Sequence, residues 1–172
     1  MNESAALAHL LDPGMLTRSD LRRLTALSTP TISEVLRRLT GAGLVSVVGH
    51  NSGRPGPNAE IYSANPDAAW TAAISVRDIG ASGAPSLAAA VCDLTGKVRA
   101  RVESRVDFLD TDPVTALTAI VDRLGAPRGR VRQVQIGVAG SYDVRAETIH
   151  HVEVPGFGRT GLVPEIAARL GT

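Results

Sequence analysis

One short segment, residues 28–38, carries side chains that can hydrogen-bond to DNA. Hydroxyl and guanidinium groups can contact base edges and phosphates, and a carboxylate can accept a hydrogen bond from a base amine. The candidate DNA-binding residues here are Ser28, Thr29, Pro30, Thr31, Ser33, Glu34, Arg37 and Arg38. Arg37 can bond bidentately to O6 and N7 of guanine, or to a phosphate. Ser33 and Thr31 can serve either role.

A ninth candidate, Arg54, lies in the stretch 51–58, which is too rich in glycine and proline to pack and is expected to project. A guanidinium on a narrow projecting loop suits the minor groove, which is electronegative where it is narrow. Arg22 and Arg23 are either phosphate contacts or ordinary surface residues. An amphipathic helix with polar residues outward is usually only solvated, so the interpretation depends on the elements that hold these side chains.

Those elements are predicted to be helices with clear start signals. Thr17 and Ser28 occupy N-cap positions, and Pro30 lies in the first turn, where its missing N–H costs nothing. Leu21 and Leu24 are expected on the buried side of the helix that follows Thr17. The next helix carries apolar residues at positions i, i+3, i+4 and i+7, which predict one buried face. They are Ile32, Val35, Leu36 and Leu39.

A hairpin is predicted after these helices. Residues 44–48 alternate as a strand does, and residues 61–63 can pair with them across the Gly/Pro-rich stretch. An earlier helix over residues 4–11 is expected to stop at Pro13 and Gly14. Two short helices with a three-residue connection, followed by a hairpin, form a winged helix-turn-helix. We assign it to residues 1–65.

The pattern changes to α/β beyond residue 65. Strands are expected at 72–76, 87–91, 98–106, 134–138 and 148–154. Helices are expected at 111–124 and 160–170. Residues 66–172 therefore form a second domain. Cys92 stands alone in an apolar strand and is expected in the core.

Composition limits the classes of protein that fit. The chain has 172 residues, 44% of them hydrophobic, a single cysteine and a formal net charge of +1. One cysteine excludes a disulfide framework and a cysteine-rich zinc module. The absence of a signal pattern or a long apolar run points to a cytoplasmic protein that is not embedded in a membrane. Residues 1–57 contain six arginines and four acids, a weak excess in the direction expected of a DNA-binding head.

Several motifs resemble the ROK family of repressors, open reading frames and sugar kinases. In the head they are Ser28, Thr31 and Ser33, then "GAGLV" and "SGRPG". In the body, "ISVRDIG", "SLAAAVCDLTGKV", "IGVAGSYD" and "EVPGF" follow in the family's order. The resemblance implies a transcriptional repressor with a ribonuclease-H-like, sugar-kinase-type body. It also implies an operator bound as a homodimer and a sugar or sugar-phosphate effector.

The departures from the family argue against catalysis. The kinases carry Asp-Ile-Gly-Gly-Thr-Lys, whereas residues 78–85 here read "DIGASGAP", without the second glycine, threonine and lysine. Proline at position 85 also removes a donor from a phosphate cradle. The family's cysteine cluster is missing, and the chain stops just before the strand that precedes the family's catalytic aspartate. We therefore expect only the first lobe, in a fragment, a mis-predicted reading frame or a truncated repressor, with no catalytic residue and no cofactor.

The resemblance places an effector near "IGVAGSYD" and "EVPGF". The corresponding candidate ligand-binding residues are Gly140, Glu153, Pro155 and Gly156. His150 and His151 suggest a metal site, but neighbouring strand residues point to opposite faces, so no metal is expected. Two alternatives stay open: a sugar kinase that phosphorylates a hexose or amino sugar with ATP, and a winged helix that binds protein instead of DNA.

Overall fold

The computed structural model describes residues 2–12, 14–51, 59–77, 86–127 and 129–171. The chain divides into two compact units, Met1–Ala69 and Trp70–Thr172. A single 3-10 turn, Pro66–Ala68, lies just before the division, and Asn65 caps it by accepting from the N–H of Asp67. Pro13, one of the two residues expected to stop the first helix, lies outside the described residues.

Three helices and a three-stranded antiparallel sheet make up the first unit. In chain order its elements are α1 (Asn2–Leu11), β1 (Met15–Thr17), α2 (Arg18–Thr25), α3 (Thr29–Gly41), β2 (Val45–Asn51) and β3 (Ala59–Ala64). The strands lie in the order β1-β3-β2, so β3 pairs with both others. The predicted pairing of the two hairpin arms is present, with a bulge between Val47 and Gly49.

One apolar cluster holds the first unit together. The buried face predicted for α3 packs against Ala6 and Leu10 of α1 and Leu21 of α2. Leu24 was predicted to lie beside Leu21, and this prediction is wrong, because 38% of Leu24 is exposed. Leu27 instead packs partly against the cluster, since the chain turns at Ala26 in the left-handed region.

Strand β1 has no counterpart in the sequence prediction. Its three residues pair with residues 61–63 of β3, and only this long-range partner defines them as a strand.

The division after residue 69 also changes the charge balance. Adding Glu60 and Asp67 gives the first unit six arginines and six acids, so the excess of positive charge over residues 1–57 does not extend to the whole unit.

The second unit is a mixed sheet with two helices. Its elements are β4 (Trp70–Val76), β5 (Leu87–Asp93), β6 (Val98–Ser104), α4 (Pro113–Arg123), β7 (Val131–Gly137), β8 (Ser141–Asp143), β9 (Thr148–His150) and α5 (Leu162–Leu170). The main sheet has the order β6-β5-β4-β7. β4 runs antiparallel to β5 and parallel to β7, and the chain returns through α4, as a parallel connection requires. β8 and β9 form a separate antiparallel pair.

Alternation along the strands builds the second core. Trp70, Ala72, Ile74 and Val76 of β4 are buried, and the residues between them are exposed. Helix α4 begins at the N-cap Asp112, whose side chain accepts from the N–H of Thr115, and it covers the buried face with Leu117 and Ile120.

Two predictions for the second unit are wrong. Cys92 is only partly buried, because it lies between Val91 and Asp93 on the opposite face of β5 from the core. The strand predicted over 148–154 ends at His150, since His151 adopts a left-handed φ of 57° that no extended strand accommodates. Within the part of the chain that is described, no helix has the length and apolarity needed to cross a bilayer.

Candidate nucleic-acid interface

The N-terminus of α3 is fixed by a side-chain cap and lies at the surface. The Ser28 Oγ accepts a hydrogen bond from the backbone N–H of Thr31 at 3.4 Å, and the two hydroxyl oxygens are 2.7 Å apart. Pro30 occupies the first turn, as predicted. Ser28, Thr29 and Pro30 are exposed, so the positive end of the helix dipole is accessible to an anion.

The connection between α2 and α3 is three residues long and sharply bent. Helix α2 begins with a capping box between Thr17 and Asp20, and it ends at Ala26, which has φ 55° and ψ 19°. Arg22 of α2 donates from Nη1 to the Thr29 hydroxyl at 3.1 Å. This bond joins α2 to the first turn of α3 and places a guanidinium at the helix N-terminus.

The body of α3 has the two faces that the spacing predicted. Ile32, Val35, Leu36 and Leu39 are at most 4% exposed. The opposite face carries Arg37, whose side chain is 71% exposed. A helix anchored on one side by four apolar residues can present the other side as a rigid surface.

Glu34 connects the two arginines of this exposed face. Its Oε2 accepts from Arg37 Nε and its Oε1 from Arg37 Nη2, both at 2.7 Å. Oε1 also accepts from Arg38 Nε at 2.8 Å. Arg38 in turn donates from Nη1 to Glu3 of α1 at 3.0 Å. The three candidate residues therefore form one charged network that reaches a neighbouring helix.

This network determines the ionisation of Glu34. Hydrogen bonds from Arg37, and then from Arg38, lower the pKa of Glu34 from 4.5 to about 2. The carboxylate is therefore charged at neutral pH and partly offsets the positive charge of the two guanidiniums. Sequence reasoning named these three residues without pairing them, although their i,i+3 and i,i+4 spacing is the local signal for such pairs.

Ser33 is engaged within its own helix. Its hydroxyl donates to the backbone carbonyl of Thr29 at 2.9 Å. Because the one hydroxyl proton is used, the side chain retains acceptor capacity only. Ser33 thus suits a donor on a base, such as an exocyclic amine, better than it suits a phosphate.

Arg54 and its neighbours, residues 52–58, lie outside the described residues. The strands on either side are described, and β2 carries the exposed Val47 and Val48 at its bulge.

One polar cluster beside this sheet was not predicted from the sequence. Arg18 Nη2 lies 3.2 Å from the Tyr62 hydroxyl and 3.3 Å from Glu60 Oε2, and the Tyr62 hydroxyl donates to Glu60. Burial raises the pKa of Tyr62.

The four candidate ligand-binding residues do not converge on one site. Gly140 lines an apolar groove, whereas Glu153 and Pro155 line a separate depression that also includes Arg77. At Gly156 a side chain would meet Pro113, with Cβ 2.9 Å from its Cγ, and φ there is +81°. Gly156 is therefore needed for packing, and nothing in its contacts points to an effector.

The apolar groove lies beside β7, the last strand of the main sheet. It has a volume of about 410 Å³ and is lined mostly by aliphatic side chains of β7 and α5, together with Tyr142, Ile149 and Phe157. Such a lining suits an apolar partner, whereas a sugar needs convergent hydrogen-bonding groups. The groove therefore gives no support to a sugar site at Gly140.

Two further motifs of the sequence are the histidine pair at 150 and 151 and the segment 78–85. The rings of His150 and His151 are 6.4 Å apart, and the described residues contain no group of three or more potential metal ligands. The segment 78–85, which was compared above with the phosphate loop of the ROK kinases, lies outside the described residues.

Comparison with known proteins shows similarity at the level of structure. No family model and no curated protein matches the sequence. Among solved structures, a ROK family transcriptional regulator described as a homologue of the E. coli MLC protein superposes with a TM-score of 0.64. The chain shares the fold of part of this ROK regulator. Identity is 18%, and the match covers 99% of this chain but 43% of the regulator. At that identity the likeness concerns the fold alone.

Proposed function

We propose that this chain is a sequence-specific DNA-binding transcriptional regulator whose recognition helix is α3. One observation carries the proposal: a short helix is capped by Ser28, anchored by four buried residues and joined to α2 by three residues, and its polar face is open to solvent. A helix of this diameter fits the major groove of B-DNA. The fold shared with a transcriptional regulator supports the same function.

In this proposal residues 1–65 are a winged helix-turn-helix and residues 66–172 are the first lobe of a ribonuclease-H-like body. The helices and three-stranded sheet of the first unit support the first assignment, and the order β6-β5-β4-β7 supports the second. The polar face of α3 contacts base edges, its N-terminus lies near a phosphate, and Arg54 enters the minor groove. We further propose a cytoplasmic homodimer that represses carbohydrate-related genes in response to a sugar or sugar phosphate.

The test is selection of duplexes from a randomised pool by the full chain. We expect enrichment of one sequence, with half-sites about 10 base pairs, or ~34 Å, apart if two copies bind together. Arg37→Ala should weaken binding to that sequence by about 1–3 kcal/mol if Arg37 reads a base. An equal loss on all duplexes would assign Arg37 to a phosphate.

Other outcomes would favour the alternatives. A pool without any enriched sequence would contradict the proposal and favour a winged helix that binds protein. Turnover of ATP with a hexose or amino sugar, followed in a coupled assay, would favour the kinase. Shifts in operator affinity on titration with sugars and sugar phosphates would test the effector separately.

A further inference from the structure

We propose that Glu34 is a positioning residue that holds Arg37 in the orientation needed to read a guanine. The inference rests on the proposed function, because it assigns a role within the face of α3 that enters the groove. It goes beyond that function by naming which edge of the Arg37 guanidinium meets the base and what fixes it there.

The edge is defined by the two hydrogen bonds between the side chains. Glu34 occupies Nε and Nη2 of Arg37, which form the lateral edge of the guanidinium. A guanidinium has five N–H donors, so three remain: one on Nη2 and two on Nη1. No other group of the described residues bonds these three.

The remaining edge is the one that suits guanine. Nη1 and Nη2 present two parallel N–H groups at the end of the side chain, and guanine presents O6 and N7 as two adjacent acceptors in the major groove. Adenine places a donor where guanine has O6, so the same fork is repelled by it. Glu34 therefore leaves Arg37 with the pair of donors that discriminates guanine from adenine.

Glu34 is itself held from its other side. Arg38 Nε donates to Oε1 at 2.8 Å, and Arg38 Nη1 donates to Glu3 of α1 at 3.0 Å. The carboxylate thus lies between two guanidiniums on consecutive residues of α3. Because the two bonds to Glu34 restrain the Arg37 side chain, less conformational freedom is lost on binding.

A cost accompanies this arrangement. A carboxylate on the DNA-facing side repels phosphates, so Glu34 lowers affinity for DNA of any sequence while it sharpens the choice of base. A residue that only stabilised the helix would not change the affinity for random DNA and the discrimination between bases in opposite directions. An inhibitory residue that withholds Arg37 would lower both affinity and discrimination.

The experiment compares the full chain with Glu34→Gln, Glu34→Asp and Arg37→Ala in duplex selection and in titration of a random duplex. We expect wild type to prefer guanine at one position of the half-site by about tenfold or more, and Arg37→Ala to abolish that preference. Glu34→Gln should weaken it by about threefold or more and should bind random duplex more tightly. Glu34→Asp keeps the charge but shortens the side chain, so it should lose the preference without gaining random affinity.

The control variant and the results that would contradict the role of Glu34 differ from those that test the proposed function. Glu103→Gln removes the same charge from an exposed ion pair of the second unit and should change neither quantity. Circular dichroism melting establishes that each variant is folded. Retention of the guanine preference in Glu34→Gln would overturn the positioning role while leaving the recognition helix in place. Loss of a cytosine preference instead would mean that Glu34 reads a base itself. A wild type that enriches no sequence would overturn both proposals.

Discussion

Arg22 and Thr29 are joined by a hydrogen bond of 3.1 Å from Nη1 to the hydroxyl, across the bend between α2 and α3. The bond brings a positive side chain to the N-terminus of α3, where the helix dipole already favours an anion. The Arg22 guanidinium and the positive end of the helix dipole therefore attract an anion to the same place. A DNA phosphate is the anion that the proposed function supplies.

We predict that Arg22→Ala lowers the salt dependence of DNA binding. Loss of one phosphate contact should reduce the slope of log K against log salt by about 0.9, with similar weakening on all duplexes. Fluorescence anisotropy at several salt concentrations measures the slope. Arg101→Ala, which removes an exposed guanidinium from β6, is the matched control. An unchanged slope would mean that Arg22 only joins the helices.

The network at Glu34 predicts a specific pH dependence. The folded-state pKa of about 2 lies below the ordinary 4.5, so the stabilisation is complete above about pH 4.5 and is lost as the pH falls through about 2. Melting temperatures of wild type and Glu34→Gln should differ by a constant amount between about pH 5 and 8 and should converge in acid. A difference that disappears near neutral pH would contradict the pairing.

Removing the cap of α3 should destabilise the first unit. Ser28→Ala deletes the acceptor for the Thr31 N–H, and we expect a loss of about 0.5–2 kcal/mol. Urea unfolding followed by far-UV circular dichroism measures it. Ser46→Ala, at an exposed position of β2, should change stability by less than about 0.5 kcal/mol. Equal effects of the two substitutions would argue that the cap contributes nothing.

The bend at Ala26 should tolerate glycine better than alanine. Its φ of 55° places a Cβ in the left-handed region, which costs an L-residue about 1–2 kcal/mol. Ala26→Gly should therefore stabilise the chain, by less than this strain because glycine is also freer in the unfolded state. Denaturant midpoints compare it with Ala8→Gly, an exposed position inside α1 where glycine should destabilise by about 1 kcal/mol. Destabilisation at both sites would contradict the strain.

Asp93 should be important for the second unit. Its side chain is fully buried and accepts from the N–H and hydroxyl of Thr95, the N–H of Lys97 and Arg99 Nη1. Burial alone would raise the pKa of Asp93, but these hydrogen bonds outweigh it and the pKa is lowered.

Asp93→Ala should destabilise the second unit by about 1–3 kcal/mol, because it removes the buried acceptor that four hydrogen bonds share. Trp70, the single tryptophan, lies opposite Asp93 in the sheet and reports unfolding by its fluorescence. Asp122→Ala, at an exposed position of α4, is the control. A loss no larger than that of the control would show that the buried acceptor is dispensable.

Local signals account for what the sequence could predict. The caps at Thr17 and Ser28 and the apolar face of α3 depend on residues within two helical turns, so their spacing is visible in the sequence. Leu24 was wrongly predicted to be buried, because the chain turns at Ala26 in the left-handed region and Leu27 packs against the core instead. Strands of three residues such as β1 and β8 have too few positions to show a period, and they exist only because a distant partner pairs with them.

An amphipathic helix with a polar, arginine-bearing face near the N-terminus can be predicted from the sequence, since cap, proline and apolar spacing are all local. The organisation of that face depends on the folded chain, because Arg38 reaches Glu3 of α1 and Arg22 reaches across a bend to Thr29. The tertiary structure also separated Gly140 from Glu153, which the family resemblance had placed in one site. The spacing of residues in the sequence allows each side chain many rotamers and many neighbours, and packing in the folded chain selects one of each.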